Sequence, residues 1–307
     1  KCKVKPDGQP TEKLVLANIS QHNYEAAFGV FLDAIDANLQ LGAAACTALV
    51  RTCAAVPALA QSAYAVHMTM KEAGMALSAE VLGVLQGACL EEGTLEQCLT
   101  LQAELDRQGV PADTGRLNKM AAKVANEAPS GHLPKATALL TKLHALGGAT
   151  AISAEAYGAV FAAQCRAALA RSSPAAVEAA HRLLEEMSTL GMAAEASALS
   201  SLLAASCRTG QRPAALAALR LLLLQTGGSA TDASLPAALL RSAALTLGAP
   251  ATSSSPWLEV PAADADRLLT LHAAVRLDKE LAAALVRLCS ASGLLAEARR
   301  RLAARPP

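Results

Sequence analysis

Residues 197–227, SALSSLLAASCRTGQRPAALAALRLLLLQTG, decide the fold. The stretch holds two apolar segments at helical spacing, separated by the short turn CRTGQR at 207–212 and followed by a glycine. It therefore predicts two helices joined by a tight turn, with Gly227 as the left-handed residue that closes the second helix.

The same helix ending recurs along the chain. A Leu or Met, three intervening residues and a glycine occur five times, with spacings between the glycines of 35, 38, 44 and 36 residues. A period near 35 residues predicts an all-α fold of helix-turn-helix repeats, because each repeat has an apolar face that only its neighbours can bury. The closing glycines, expected to end helices in the left-handed region, are Gly74, Gly109, Gly147, Gly191 and Gly227.

The composition agrees with thin interfaces between helices. Apolar residues make up 53% of the 307 residues, but aromatic residues only 2%, so Ala and Leu supply most of the apolar surface. The net charge of +1 argues against a protein held on nucleic acid mainly by overall electrostatic attraction. Charges interrupt every long apolar run, so we expect no membrane span. We also expect no signal or transit peptide, and the start at Lys1 suggests a processed or partial product.

Known catalytic and metal-binding motifs are missing from the sequence. There is no P-loop, HExxH or GxSxG motif, and the eight cysteines show neither CxxC pairs nor zinc spacing. Most cysteines fall in helical stretches, which favours reduced, buried thiols. The sequence thus predicts a protein that is not an enzyme, with no cofactor, no metal site and no small-molecule substrate.

Several segments resemble the pentatricopeptide repeat family, specifically its plain 35-residue class. Residues 197–227 follow the family pattern nearly throughout, and HRLLEEMSTLGM at 181–192 is similar to its second-helix ending. GVPAD at 109–113 and VKPD at 4–7 match the close of a repeat. The resemblance implies an α-solenoid, a right-handed superhelix of stacked antiparallel helix pairs, about sixteen helices in all.

The resemblance covers nearly the whole chain as a single array over 1–307. Tetratricopeptide repeats are the alternative, but their first helix carries Trp and Tyr, and this chain has one Trp and three Tyr. The first helix after residue 153 looks extended through RAALARSSP at 166–174. The repeat units are expected at 8–43, 44–78, 79–113, 114–153, 154–195, 196–232, 233–277 (with a loop insertion at 249–261) and an incomplete 278–307.

The family resemblance implies that single-stranded RNA lies along the first helices, with one base read by the fifth and last residues of each repeat. Carried over residue by residue, it pairs Asn118 with Ser153 and Ser200 with Asp232 as candidate base readers. Other units depart from the pattern: Gly83 stands with Asp113, and Gly158 with Glu195. Few base-reading positions imply weak sequence specificity.

Basic residues at three kinds of position are candidates for RNA phosphate contacts. Two follow the turn cysteines, three cluster in one first helix, and four lie in the tail EARRRLAARPP. Solvated helix faces are the alternative explanation for each of them. The candidates are Arg166 and Arg208, then Arg116, Lys119 and Lys123, and finally Arg299, Arg300, Arg301 and Arg305.

The segment APATSSSPWLEVP at 249–261 contains the only Trp of the chain. It reads as a loop insertion, and Trp257 is also a candidate anchor for a neighbouring subunit, because exposed Trp residues are common hot spots.

Three functional classes remain open at this stage. The array binds a single-stranded organellar transcript, serves as a ribosomal or other ribonucleoprotein subunit that holds ribosomal RNA, or acts as a protein-binding scaffold without RNA contact. A role in RNA metabolism or translation, inside the mitochondrial matrix or the chloroplast stroma, is implied by the family resemblance alone.

Overall fold

The computed structural model describes residues 9–39, 41–127, 133–225, 237–249 and 279–291, together with Ala265 and Leu294. These residues contain fourteen α-helices, two short 3-10 helices and no strand. The predicted all-α class is therefore confirmed. The chain divides into two compact units, Lys1–Ala128 and Pro129–Pro307.

The N-terminal unit contains seven of these helices. The first six form three hairpins, in which each helix packs on the one that follows it, and the seventh packs on the last hairpin. Their bounds are α1 Gln9–Ser20, α2 Tyr24–Asp36, α3 Ala43–Ala54, α4 Ala60–Glu72, α5 Ala79–Glu92, α6 Leu95–Arg107 and α7 Thr114–Glu127.

The C-terminal unit contains the other seven. Here α9 pairs with α10 and α11 pairs with α12, while α8 packs on α9. Their bounds are α8 Leu133–Gly147, α9 Ala154–Arg171, α10 Pro174–Thr189, α11 Ala196–Thr209, α12 Arg212–Gln225, α13 Ala237–Leu247 and α14 Lys279–Ala291.

Successive hairpins stack through their first helices. In the N-terminal unit α1 packs on α3, α3 on α5 and α5 on α7; in the C-terminal unit α9 packs on α11, α11 on α13 and α13 on α14. Each hairpin thus buries its apolar face on its neighbours, which is the arrangement of an α-solenoid. The right-handed superhelical turn stays a prediction.

The core is built mainly from Ala, Leu and Val, as the composition predicts. Among the described residues, Tyr157 and Phe161, both on α9, are the largest side chains that are fully buried. Small Ala side chains let neighbouring helices approach closely, so many small contacts replace a few large aromatic ones.

Three described second helices end in the same hydrogen-bonded motif at a glycine. Gly74, Gly109 and Gly191 have φ of 74°, 68° and 68°, so the predicted left-handed helix ends are confirmed. In each case the amide after the glycine donates to a carbonyl five residues earlier, as in Val110 N to Leu105 O at 3.2 Å. This is the Schellman motif, which satisfies carbonyls that the helix leaves unpaired.

Two helix ends differ from the sequence expectation. The prediction that Gly147 is the left-handed residue is wrong: α8 continues through Gly147, and Gly148 has the positive φ of 68°. Asn38, with φ of 59°, closes α2 in the same Schellman pattern, through Leu39 N to Ala34 O at 2.9 Å. Asn tolerates the left-handed region better than most residues, so a search for glycines alone misses it. Gly227 lies outside the described residues.

The predicted extension of one first helix is present, although it ends earlier than expected. Helix α9 has 18 residues and ends at Arg171 rather than at 174. Ser172 then takes a left-handed conformation, with φ of 47°, and Pro174 is the first residue of α10. Proline suits this position because the first turn of a helix leaves its N–H groups unpaired anyway.

Amide side chains join one repeat to the next at equivalent positions. Gln108 Nε2 donates to the Leu77 carbonyl at 3.2 Å, and Gln225 Nε2 donates to the Ala194 carbonyl at 2.7 Å. Both bonds span 31 residues, from the end of a second helix to the loop that precedes its own hairpin.

Among the helices described, none combines the length and apolar character needed to cross a bilayer.

Candidate nucleic-acid interface

The predicted RNA-contacting residues that the structure describes all belong to first helices, or to the residue that starts one. They fall in two groups, one in each compact unit, and each group is a separate candidate surface. The groups are Arg116, Asn118, Lys119 and Lys123 on α7, and Ser153, Arg166, Ser200 and Arg208 on α9 and α11 or at their starts. The remaining predicted residues, Asp232, Trp257, Arg299, Arg300, Arg301 and Arg305, lie outside the described residues.

Arg116 occupies the space above a glycine on the neighbouring first helix. A Cβ added to Gly83 would lie 2.5 Å from Arg116 Nη1, so the guanidinium covers the position that a side chain there would need. Asp113 fixes Arg116, because its carboxylate lies 3.2 Å from Arg116 Nε and accepts the Arg116 backbone N–H at 3.2 Å. In the repeat pattern that the sequence resembles, Gly83 and Asp113 occupy the two base-reading positions of their unit, and with Gly83 that unit departs from the pattern. In the structure a cation stands between these two positions.

Lys119 extends this basic surface by almost one helical turn. Its Nζ lies 2.7 Å from Glu91 Oε1, and the hydrogen bond lowers the pKa of Glu91. The Lys119 side chain is 63% exposed and that of Arg116 is 38% exposed. An ion pair between exposed side chains contributes little to stability, so a phosphate can replace Glu91 as the partner of Lys119 at small cost.

Lys123 is placed differently from its two neighbours. Its side chain is 12% exposed, and Nζ donates to the Leu90 carbonyl in the last turn of α5 at 3.1 Å. Glu127 Oε1 lies 3.4 Å from the same Nζ. A cation at the C-terminal end of a helix stabilises carbonyls that have no partner within that helix. Lys123 therefore joins two stacked first helices.

Arg208 makes the equivalent contact in the C-terminal unit. Its Nη1 donates to the Leu169 carbonyl in the last turn of α9 at 3.3 Å. Arg287 Nε on α14 donates to the Gly248 carbonyl, directly after α13, at 2.5 Å. The sequence reasoning did not single out Arg287, although a basic residue late in a first helix is the signal that all three cations share.

The candidate base readers differ in whether their side chains already form hydrogen bonds within the protein. Ser153 is the N-cap of α9, and its hydroxyl accepts the Ala156 N–H at 3.1 Å. Asn118 Nδ2 donates to the Thr114 carbonyl one turn earlier, at 2.9 Å. Ser200 is half-buried on α11, and no hydrogen bond from the described part of the chain engages its hydroxyl.

The thiols and acidic groups show no metal-binding arrangement in the described ranges, where no three His, Cys, Asp or Glu side chains cluster. Burial raises the pKa of Cys89 and Cys165 to about 12, and for Cys165 the charge of Arg166 acts in the opposite direction. A thiol with so high a pKa stays protonated at neutral pH and is a poor nucleophile. Arg166, whose charge acts on Cys165, is the next residue in the sequence, and its own side chain is exposed.

Comparison with known proteins finds similarity among solved structures only; no family model and no curated protein matches the chain. The chain is similar to the pentatricopeptide repeat protein PPR10 in complex with an 18-nt psaJ RNA element, with 16% identity over 98% of this chain and 50% of that chain, and a TM-score of 0.35. The structure of PPR10 from maize gives 16% identity over 96% and 43% of the two chains, and a TM-score of 0.34. The chain thus spans about half the length of the structures it matches.

Proposed function

We propose that the protein binds single-stranded RNA along its first helices and holds it mainly by charge and shape. The placement of Arg116 is the observation that carries this proposal. Its guanidinium is fixed by Asp113 in the space left free by Gly83, and part of it stays exposed. A fixed, exposed, planar cation can bind a phosphate with two donors or stack on a base.

The described side chains fit a protein that holds RNA by charge and shape better than one that reads it base by base. Ser153 caps a helix, while Lys123 and Arg208 donate to backbone carbonyls of the preceding first helix. Among the described side chains predicted to read bases, Asn118 already donates to the Thr114 carbonyl, and Ser200 is half-buried. A protein with so few readers recognises RNA with little sequence specificity.

Because few side chains are placed to read bases, the protein fits a subunit of a large ribonucleoprotein, such as an organellar ribosome, better than a factor that selects one transcript. Within that role the protein acts in organellar translation or RNA metabolism, in the mitochondrial matrix or the chloroplast stroma. The family resemblance in the sequence is the support for the organellar location. Binding, and not catalysis, is the proposed activity.

A double variant, Asn118→Ala with Ser200→Ala, separates the two modes of binding. Affinity is measured by fluorescence anisotropy against two unrelated single-stranded RNAs of about 20 nucleotides. Under the proposed function both RNAs lose less than about threefold in affinity. A loss of tenfold or more for one RNA alone, which corresponds to roughly 1.4 kcal/mol, would instead identify a sequence-reading protein.

The protein-binding scaffold is retained as the second candidate because large apolar side chains are exposed on the first two helices of the N-terminal unit. Leu14 and Leu16 on α1 are 52% and 42% exposed, and Leu32 and Ile35, which share a face of α2, are 44% and 38% exposed. Exposed apolar side chains of this size are candidates for contact with another protein. Absence of RNA binding by the wild-type protein would leave this candidate in place.

A further inference from the structure

A cleft in the C-terminal unit has no role in the proposed RNA binding. It encloses about 560 Å³ between α8 and α10, which form its two walls, and α9, which forms its floor. Leu140 and Ala145 on α8, Ile152 before α9, and Leu183 on α10 provide its apolar surface. A volume of several hundred Å³ lined by aliphatic side chains is the size of a typical small-ligand site. We name it the α8–α10 cleft.

The polar groups of the cleft differ in whether another described residue hydrogen-bonds them. Tyr157 donates its phenol to Glu186 Oε2 at 3.4 Å, and burial raises the pKa of Tyr157, so the phenol stays a donor. Arg182, His144 and Gln164 also line the cleft, and no hydrogen bond or ion pair from the described residues engages their side chains. The Glu186 carboxylate therefore has a protein partner, whereas Arg182 and His144 are exposed and bond only to solvent within the described part of the chain.

Arg182 is the most informative of these donors. It lies four residues before Glu186 on the same face of α10, the spacing at which side chains of opposite charge commonly pair on a helix. Within the described residues the two do not pair, because Glu186 turns toward Tyr157. The guanidinium is thus left at an apolar cleft with its donors free for an anionic group.

We propose that the α8–α10 cleft binds an organic anion, a small molecule with an apolar body and a carboxylate or sulfonate. Arg182 binds the acidic group with two parallel hydrogen bonds, and the Gln164 amide donates to it from the floor. The apolar body lies between Leu140 and Leu183. A charge-assisted bond made at the edge of an apolar cleft is stronger than the same bond in water.

The test uses two fluorescent probes that differ in charge. Anilinonaphthalene sulfonate is an aromatic anion whose emission rises in apolar surroundings, and phenylnaphthylamine has a similar apolar body without the sulfonate. Titration of the full chain with each probe gives a dissociation constant. We expect saturable binding of one equivalent of the sulfonate, and binding of the neutral probe about tenfold weaker or more.

Three variants assign the binding to the cleft. Arg182→Gln removes the guanidinium and is expected to weaken sulfonate binding about tenfold while leaving the neutral probe unaffected. Ala179→Trp places an indole in the cleft and is expected to abolish binding of both probes. Arg220→Gln, at an exposed arginine on α12 outside the cleft, is the matched control and is expected to leave both constants unchanged.

The proposal is overturned if the wild-type protein shows no saturable sulfonate binding, or if Arg182→Gln and Arg220→Gln weaken it equally. Circular dichroism of each variant checks that it folds. Should Ala179→Trp fail to fold, the comparison of Arg182→Gln with Arg220→Gln still decides the outcome. None of these results depends on RNA binding, so the proposal stands or fails separately from the proposed function.

Discussion

The guanidinium of Arg116 lies where a side chain at Gly83 would lie: a Cβ added to Gly83 meets Arg116 Nη1 at 2.5 Å. The two residues belong to stacked first helices, α7 and α5. Glycine in a helix interior lowers helix stability by about 0.5 to 1 kcal/mol relative to alanine. We infer that the space it leaves for the Arg116 guanidinium offsets this cost.

Substituting Gly83 therefore tests the placement of Arg116 without removing its charge. Gly83→Ala displaces the end of a flexible side chain, so the gain in helix propensity offsets the strain and the free energy of unfolding changes by less than about 1 kcal/mol. RNA affinity, in contrast, falls. Chemical denaturation and anisotropy titration measure the two effects. Unchanged RNA affinity would show that the position of the guanidinium is irrelevant to binding.

The closing glycines provide a stability prediction with a matched control. Gly109 and Gly191 have left-handed φ and no atom within 4 Å of an added Cβ, so an alanine there suffers backbone strain alone. We expect Gly109→Ala and Gly191→Ala each to destabilise by about 1 to 2 kcal/mol. Gly87→Ala, in the interior of α5 with equally open space, is expected to stabilise by about 0.5 to 1 kcal/mol. Equal effects at Gly87 and Gly109 would contradict the assigned helix ends.

His67 predicts a pH dependence of stability. It is 1% exposed on α4, and neither ring nitrogen has a hydrogen-bond partner in the described residues. Burial lowers the pKa of His67; nearby Lys71 acts in the same direction, and Glu104, with Oε2 3.5 Å from Nε2, opposes both. Because the folded protein resists protonation, the stability that His67 contributes is complete above its ordinary value of 6.5 and is lost as the pH falls below it.

The measurement for His67 is the free energy of unfolding from urea titrations at several pH values between about 7.5 and 5. We expect it to fall toward acid pH in the wild type and to fall less steeply in His67→Leu. The difference between the two curves isolates this residue from the other histidines. Parallel curves would mean that His67 does not titrate differently in the folded and unfolded chains.

The amide bonds between repeats predict a modest, local contribution. Gln108→Ala and Gln225→Ala each remove a hydrogen bond to a loop carbonyl, and each is expected to destabilise by about 0.5 to 1.5 kcal/mol. Gln21→Ala, at an exposed position before α2, serves as the control with an effect near zero. Thermal or urea unfolding of the three variants gives the comparison. An effect at Gln108 no larger than that at Gln21 would show that the bond adds nothing.

The fold was predictable from the sequence because its signals are local. Several second helices end at a left-handed glycine, as Gly74, Gly109 and Gly191 show, and glycine at these positions is visible in the sequence. Asn38 gives the same turn without a glycine, and the left-handed residue after α8 is Gly148 rather than Gly147, so the glycine pattern locates helix ends only to within a residue or misses them.

The candidate site was less predictable because its decisive contacts join residues of different repeats. The sequence identifies Lys123 and Arg208 as cations on first helices, but their acceptors are carbonyls 33 and 39 residues earlier. Backbone acceptors have no signature in residue type. The contact of Arg116 with Gly83 likewise depends on how α5 and α7 stack, which periodicity does not specify.

The most direct test of RNA holding is the salt dependence of binding by the double variant Arg116→Gln with Lys119→Gln. Its control is Lys135→Gln with Arg220→Gln, which removes two exposed charges from second helices α8 and α12. Anisotropy titrations with two unrelated RNAs over a salt series give the slope of log affinity against log salt. If both side chains contact phosphates, the slope falls in magnitude by about 1.4 for either RNA, roughly 0.7 for each lost contact, while the control keeps the wild-type slope. Equal slopes for the two double variants would contradict RNA binding at the surface formed by Arg116 and Lys119.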